Sequence, residues 1–176
     1  MKKVLLTLLL AAVAAVAVIA ATKLSGGSEK FTDYLRIHVR ANSNSAEDQA
    51  VKYEIKDEVV SYITPFVKEC VTKERAMEVM KGLIPDIEKV CREELKKRGY
   101  NYGARASVRE EEFPTRVYGE LTLEKGVYDA LIIELGEGTG DNWWCVIYPP
   151  LCFTSGNGNV QYRSAIIEII NKFKHK

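Results

Sequence analysis

From Val4 to Ala21 the chain carries no charged residue and, Thr7 aside, only apolar side chains; Lys2 and Lys3 precede the run and Lys23 follows it. A segment that is apolar on every face at an extreme terminus has no second layer to bury it in a small domain. It therefore reads as a targeting or membrane-embedded helix rather than a core element. Its length approaches the ~20 residues that span the hydrocarbon of a bilayer. The pairs Val18/Ala20 and Ile19/Ala21 equally offer a small-residue cleavage pattern, so the residues leave cleavage and retention open. Lysines that precede such a run stay on the cytoplasmic side, so the chain from about Lys23 onward is expected to be translocated. Residues 1–22 are read as a signal peptide or membrane anchor, and 23–33, with Ser25-Gly26-Gly27-Ser28, as a tether. Residues 34–176 are read as a single domain.

A chain of 176 residues with this leader has room for one hydrophobic core and not two. Its 25 basic and 24 acidic residues are mixed along the sequence, for a net charge of +1. No basic footprint of the kind a nucleic-acid partner requires is present. Four cysteines in an exported chain invite a disulfide. Cys145 and Cys152 are the favoured pair, because Tyr148-Pro149-Pro150-Leu151 between them favours a chain reversal. Cys70 and Cys91 fall in helical sequence and read as small buried hydrophobes. Neither His38 nor His175 stands at ligand spacing from a cysteine, and no metal or cofactor is expected.

Alternation begins at Leu35. Leu35, Ile37 and Val39 point one way and Arg36, His38 and Arg40 the other, which is the period of a half-buried strand. Ser45, followed by Glu47 and Asp48, reads as an N-cap with acidic residues in the first turn. Val51, Ile55, Val59, Tyr62 and Phe66 recur at helical spacing, giving a helix over about Ala46 to Ile63 that Pro65 ends or kinks. Helical spacing resumes from Lys73 through Leu95, with Gly82 and Pro85 dividing it into two helices and Gly99 stopping it. Ala106 and Val108 alternate as a strand, a turn-rich stretch covers Pro114, Gly119 and Gly126, and Val127 to Leu135 is a strong strand. Trp143 to Tyr148 is almost continuously apolar, as expected of an inner strand beneath helices. Ser164 to Phe173 reads as a short amphipathic helix. The fold class is α+β, with helices packed against a mixed or antiparallel sheet and an N-terminal helix before it.

Few motifs suggest catalysis. Gly136-Glu137-Gly138-Thr139-Gly140 lacks the lysine and following helix of a phosphate cradle and reads as a loop between strands. His38 with Ser43, Ser45 and Asp48 has no nucleophile elbow. Glu110, Glu111 and Glu112 alternate between faces, cannot converge on one proton, and read as a solvated edge. Trp143 and Trp144 must face opposite sides of a strand, so each is either core or a partner surface.

Three separated blocks carry a family resemblance. Leu35-Arg36-Ile37-His38-Val39-Arg40-Ala41-Asn42-Ser43 with Glu47-Asp48-Gln49 resembles the opening of the stage II sporulation protein R family. Phe113-Pro114-Thr115-Arg116-Val117-Tyr118-Gly119 resembles a later block. So does Gly136-Glu137-Gly138 leading to Asn142-Trp143-Trp144-Cys145 and Pro149-Pro150-Leu151-Cys152-Phe153. The resemblance implies a signalling protein of endospore formation, not an enzyme, exported from the forespore into the intermembrane space. It also implies a partner: a membrane-embedded aspartic protease, the sigma-E factor processing peptidase, which matures pro-sigma-E. The family has no catalytic motif to carry over. Expected contact residues, chosen for polar-face position or block membership, are Arg36, His38, Arg40, Asn42, Arg116, Tyr118 and Trp144. The rival readings are a secreted hydrolase with an unrecognised active site and a passive envelope protein.

Overall fold

The computed structural model describes Lys30 to Cys152, Glu120 excepted. The leader and the helix read over Ser164 to Phe173 lie outside the described residues. In chain order the elements are β1 (Lys30–Arg40), α1 (Ala46–Lys68), α2 (Lys73–Gly82), α3 (Ile84–Lys97), β2 (Ala104–Phe113), β3 (Arg116–Tyr118), β4 (Leu121–Leu123), β5 (Gly126–Leu135) and β6 (Asn142–Tyr148). Four strands form one sheet in the order β2-β5-β1-β6. β1 runs parallel to β5 and antiparallel to β6, while β2 and β5 are antiparallel. The sheet is thus mixed, and the three helices cover one of its faces, as the α+β reading expected.

Alternation along β1 sorts its side chains between two cores. Leu35, Ile37 and Val39 meet Val51, Ile55, Val59 and Ile63 of α1, Met80 of α2, and Ile87 and Leu95 of α3. The opposite face carries a smaller cluster of Phe113, Leu123, Tyr128, Ala130, Ile132, Val146 and Leu151. One extra residue in β6 shifts register, so that Leu35 stands opposite Tyr148 while Arg36 stands opposite Val146. This bulge turns both Ile147 and Tyr148 to the helical side. There the Tyr148 hydroxyl donates to the Val71 carbonyl at 2.8 Å, tying the sheet to the α1–α2 connection.

Helix starts follow local chemistry. The hydroxyl of Ser45 accepts from Asp48 N at the head of α1, Thr72 accepts from Arg75 N at the head of α2, and Pro85 sits in the first turn of α3. Gly99, at φ 84, terminates α3 as expected.

Four sequence expectations need correction. Helix α1 does not stop near Ile63 but continues to Lys68 with Pro65 inside it, because Ile63 and Val67 both bury on the face that meets the core. The turn-rich stretch around Pro114 and Gly119 contains a short hairpin, β3–β4, held by three residue pairs. Strand β1 begins at Lys30, within the segment read as tether. Among the described residues β6 is an edge strand and not an inner one. Its continuous apolarity arises because both of its faces are covered: Cys145 and Ile147 by the helices, Val146 by the second cluster.

The loop from Gly136 to Asp141 docks on the β1–α1 turn through Gly140 N to Ala41 O at 2.9 Å and Thr139 Oγ1 to Asn42 O at 2.8 Å. A Cβ at Gly140 would stand 2.1 Å from the Ser43 carbonyl oxygen, a backbone atom with no flexible end to move. Gly140→Ala is expected to lower stability in urea unfolding by roughly 2–4 kcal/mol. Gly103→Ala, where the added carbon meets nothing, serves as the control.

Candidate functional site: a polar and aromatic sheet face

The face of the sheet away from the helices is unusual for a core face, because β1 contributes arginine and histidine to it where the neighbouring strands contribute apolar groups. Arg36 is completely buried and His38 is 4% exposed, which corrects the reading of both as exposed contact residues. A strand alternation identifies residues that share a face and says nothing about whether that face is covered. Here the β3–β4 hairpin and Leu151 contribute the cover.

The guanidinium of Arg36 lies 4.1 Å from the Phe113 ring centroid and 4.7 Å from that of Tyr128, and its Nη2 donates to the Tyr118 hydroxyl at 2.7 Å. Two residues along, the His38 ring stacks on Trp144 at 5.3 Å and meets Phe113 edge-on at 5.8 Å. The Arg116 guanidinium lies 4.1 Å from the Trp144 ring centroid. Trp144 therefore has both an imidazole and a cation against its ring. Trp143 faces the helices, with the Lys56 ammonium 5.2 Å from its ring. Both tryptophans are half-buried.

Glu111 joins these groups. Its carboxylate accepts from Arg40 Nη2, lies 3.2 Å from His38 Nδ1 and 3.4 Å from Arg109 Nη2. Arg40 also donates to Glu134 at 2.8 Å. Glu111 is thus no solvated edge residue: it shares with Phe113 the sheet face on which β1 places Arg36, His38 and Arg40. Arg36, Arg40, Arg109 and Arg116 outnumber the carboxylates of Glu111 and Glu134 on these strands, so the face is electropositive.

Burial lowers the pKa of His38 below its ordinary value, with Arg40 adding to the effect and Asn142 and Glu111 opposing it. The neutral ring with Nδ1–H directed at Glu111 satisfies that geometry. A basic group whose pKa falls on folding binds its proton more tightly in the unfolded chain, so it costs stability as the pH drops through the unfolded value near 6.5. Stability is accordingly expected to rise between about pH 5 and 7, and His38→Gln is expected to flatten that rise in urea unfolding curves followed across the range.

Of the seven expected contact residues, the fold gathers Arg36, His38, Arg40, Arg116, Tyr118 and Trp144 on this face. Asn42 stands apart. Its Nδ2 donates to Asp48 at 2.8 Å and its Oδ1 accepts from Glu137 N at 3.0 Å, so it fastens the loop after β5 to the head of α1. The positive φ of Gly136 and its closeness to Asn42 fit that role, since a Cβ there would stand 2.2 Å from Asn42 Oδ1. Sequence reasoning passed over Glu111, Phe113 and Tyr128; the shared parity of Glu111 and Phe113 along β2 was the available signal. Cys145 and Cys152 are disulfide-bonded with Cα atoms 6.0 Å apart. Cys91 is free and buried, its thiol pushed up to about 12 by desolvation, and is therefore unreactive.

The fold defines an α+β domain whose second sheet face is built from arginines, histidine and aromatic rings. The model of the stage II sporulation protein R family matches residues 31–157. The chain is also 40% identical over 119 residues to stage II sporulation protein R of Bacillus subtilis (strain 168), an alignment covering 68% of this chain and 53% of that relative. The chain belongs to the stage II sporulation protein R family. It is matched over only about half the length of that curated relative. No solved structure matches it.

Proposed function

We propose that this chain is an exported signalling protein of endospore formation that activates a membrane-embedded aspartic protease, the sigma-E factor processing peptidase, and so promotes maturation of pro-sigma-E. It carries the message from the forespore into the intermembrane space, touches the membrane through its N-terminal segment, and leaves the cutting to its partner. Family membership supports the assignment to sporulation. The observation that carries the binding role is the half-buried Trp144 ring with His38 and Arg116 against it, next to a β3–β4 hairpin whose outward side presents Val117, 66% exposed. Aromatic and arginine side chains are enriched at the centres of protein-binding surfaces. Activation requires that this surface bind the active state of the protease more tightly than the resting state.

The test is co-expression of the chain with the candidate protease and pro-sigma-E in a non-sporulating bacterium, with and without residues Met1 to Ala21. Conversion of the precursor that depends on the leader is the expected result. Val117→Asp, exposed enough to leave folding intact, is expected to reduce conversion by at least about tenfold. Absence of conversion, with folded wild-type protein demonstrated outside the membrane, would overturn the reading.

A further inference from the structure

Two buried lysines have their ammonium groups satisfied: Lys73 Nζ lies 2.7 Å from Asp129 Oδ2, and Lys52 Nζ donates to Gln49 Oε1 at 2.6 Å and to the Asp141 carbonyl at 3.0 Å. Arg36 is different. It is 0% exposed, forms no ion pair among the described residues, and its Nε and Nη1 have no hydrogen-bond partner there. Aromatic rings engage the face of a guanidinium and leave its edge of N–H donors unsatisfied. That edge matches a carboxylate in geometry and charge, and desolvating it without one is costly. The Tyr118 hydroxyl, from β3, accepts from Nη2 of that edge at 2.7 Å.

Access to the edge depends on the β3–β4 hairpin. Its strands have three residues each and pair only with one another among the described residues. A lone two-stranded ribbon of that size has little stability of its own, so its position over the sheet rests on side-chain contacts such as Tyr118 to Arg36.

We propose that Arg36 is a carboxylate-binding site, reached when the β3–β4 hairpin shifts and the Tyr118 hydroxyl yields the guanidinium edge to the incoming acid. Phe113 and Tyr128 hold the guanidinium in place from its faces. The ligand is a carboxylate presented by a protein side chain or carried by a free small acid, and the site is independent of whether the chain activates a protease.

The experiment follows the Arg36 side-chain Nε–H resonance of the full chain by nuclear magnetic resonance, assigned by its loss in Arg36→Met or, if that variant does not fold, Arg36→Lys. Acetate, N-acetyl-glutamate amide and N-acetyl-glutamine amide are titrated at constant ionic strength. A saturable shift with the glutamate compound at least about tenfold below the concentration needed for acetate identifies a protein side chain as the ligand. Equal or better response to acetate identifies a free small acid. No shift with either acid, or an equal shift with the glutamine compound, overturns the proposal. Arg36→Met gives an independent reading, because replacing an uncompensated buried charge by an apolar group of similar volume is expected to raise the melting temperature by roughly 5 °C. A fall of that size would show that the guanidinium is already satisfied and would count against the site.

Discussion

Asp48→Ala is expected to be among the most destabilising single substitutions in the domain, lowering the free energy of unfolding by about 3–5 kcal/mol. The Asp48 carboxylate is 6% exposed and accepts from Asn42 Nδ2 at 2.8 Å, Ser43 Oγ at 2.6 Å and the Tyr102 hydroxyl at 2.5 Å. Its removal orphans three donors at once. Burial by itself would raise its pKa, but the hydrogen bonds from Ser43, Tyr102, Asn42 and Ser45 outweigh burial and hold it below the ordinary carboxylate value. A carboxyl lowered in this way stabilises the fold above its unfolded pKa, near 3.8, and loses that contribution as the pH falls through its folded value. Urea unfolding of Asp48→Asn is expected to show a smaller loss at pH 7, since the shape is kept. It is also expected to show a shallower decline in stability below about pH 4 than wild type.

The Lys73–Asp129 pair supplies the second large effect. It joins the first turn of α2 to β5 with side chains only 10% and 12% exposed. Lys73→Met or Asp129→Leu alone leaves one charge buried without a partner and is expected to cost about 3–5 kcal/mol. The double variant is expected to recover most of that loss, because two apolar groups carry no desolvation penalty. A double-mutant cycle by chemical denaturation measures the coupling directly. If the double variant is no better than the worse single one, the stabilisation comes from packing around the pair and not from its charges.

Much of the architecture could be read from the sequence because it rests on local rules. The cap at Ser45, the division of the helices at Gly82 and Pro85, and the stop at Gly99 each follow from one residue's backbone chemistry. The two faces of β1 follow from alternation. What could not be read depends on contacts distant in sequence. Burial of Arg36 requires the hairpin holding Tyr118, 82 residues away. The orientation of Glu111 toward His38 and Arg40 depends on β2 joining β5 and not standing alone. The edge position of β6 was missed because a run apolar on both sides reports coverage, which an edge strand can have as fully as a central one. Alternation placed Arg36, His38 and Arg40 on one face, while the arrival of Arg116, Tyr118 and Trp144 beside them and the degree of exposure of all six were beyond what period-two patterning encodes.

The parallel pairing of β1 with β5 also has a temporal consequence. Register partners such as Arg40 and Glu134 lie on opposite sides of three helices and three further strands. The centre of the sheet therefore cannot close until most of the domain has emerged from the ribosome. Until then Leu35, Ile37 and Val39 must wait as an exposed sticky ribbon, sheltered at best by a provisional association with α1. Topologies that join distant segments fold slowly and are vulnerable to aggregation in the interval. The polar teeth of the same strand, Arg36, His38 and Arg40, interrupt that ribbon at every second position. They act as built-in gatekeepers during the wait.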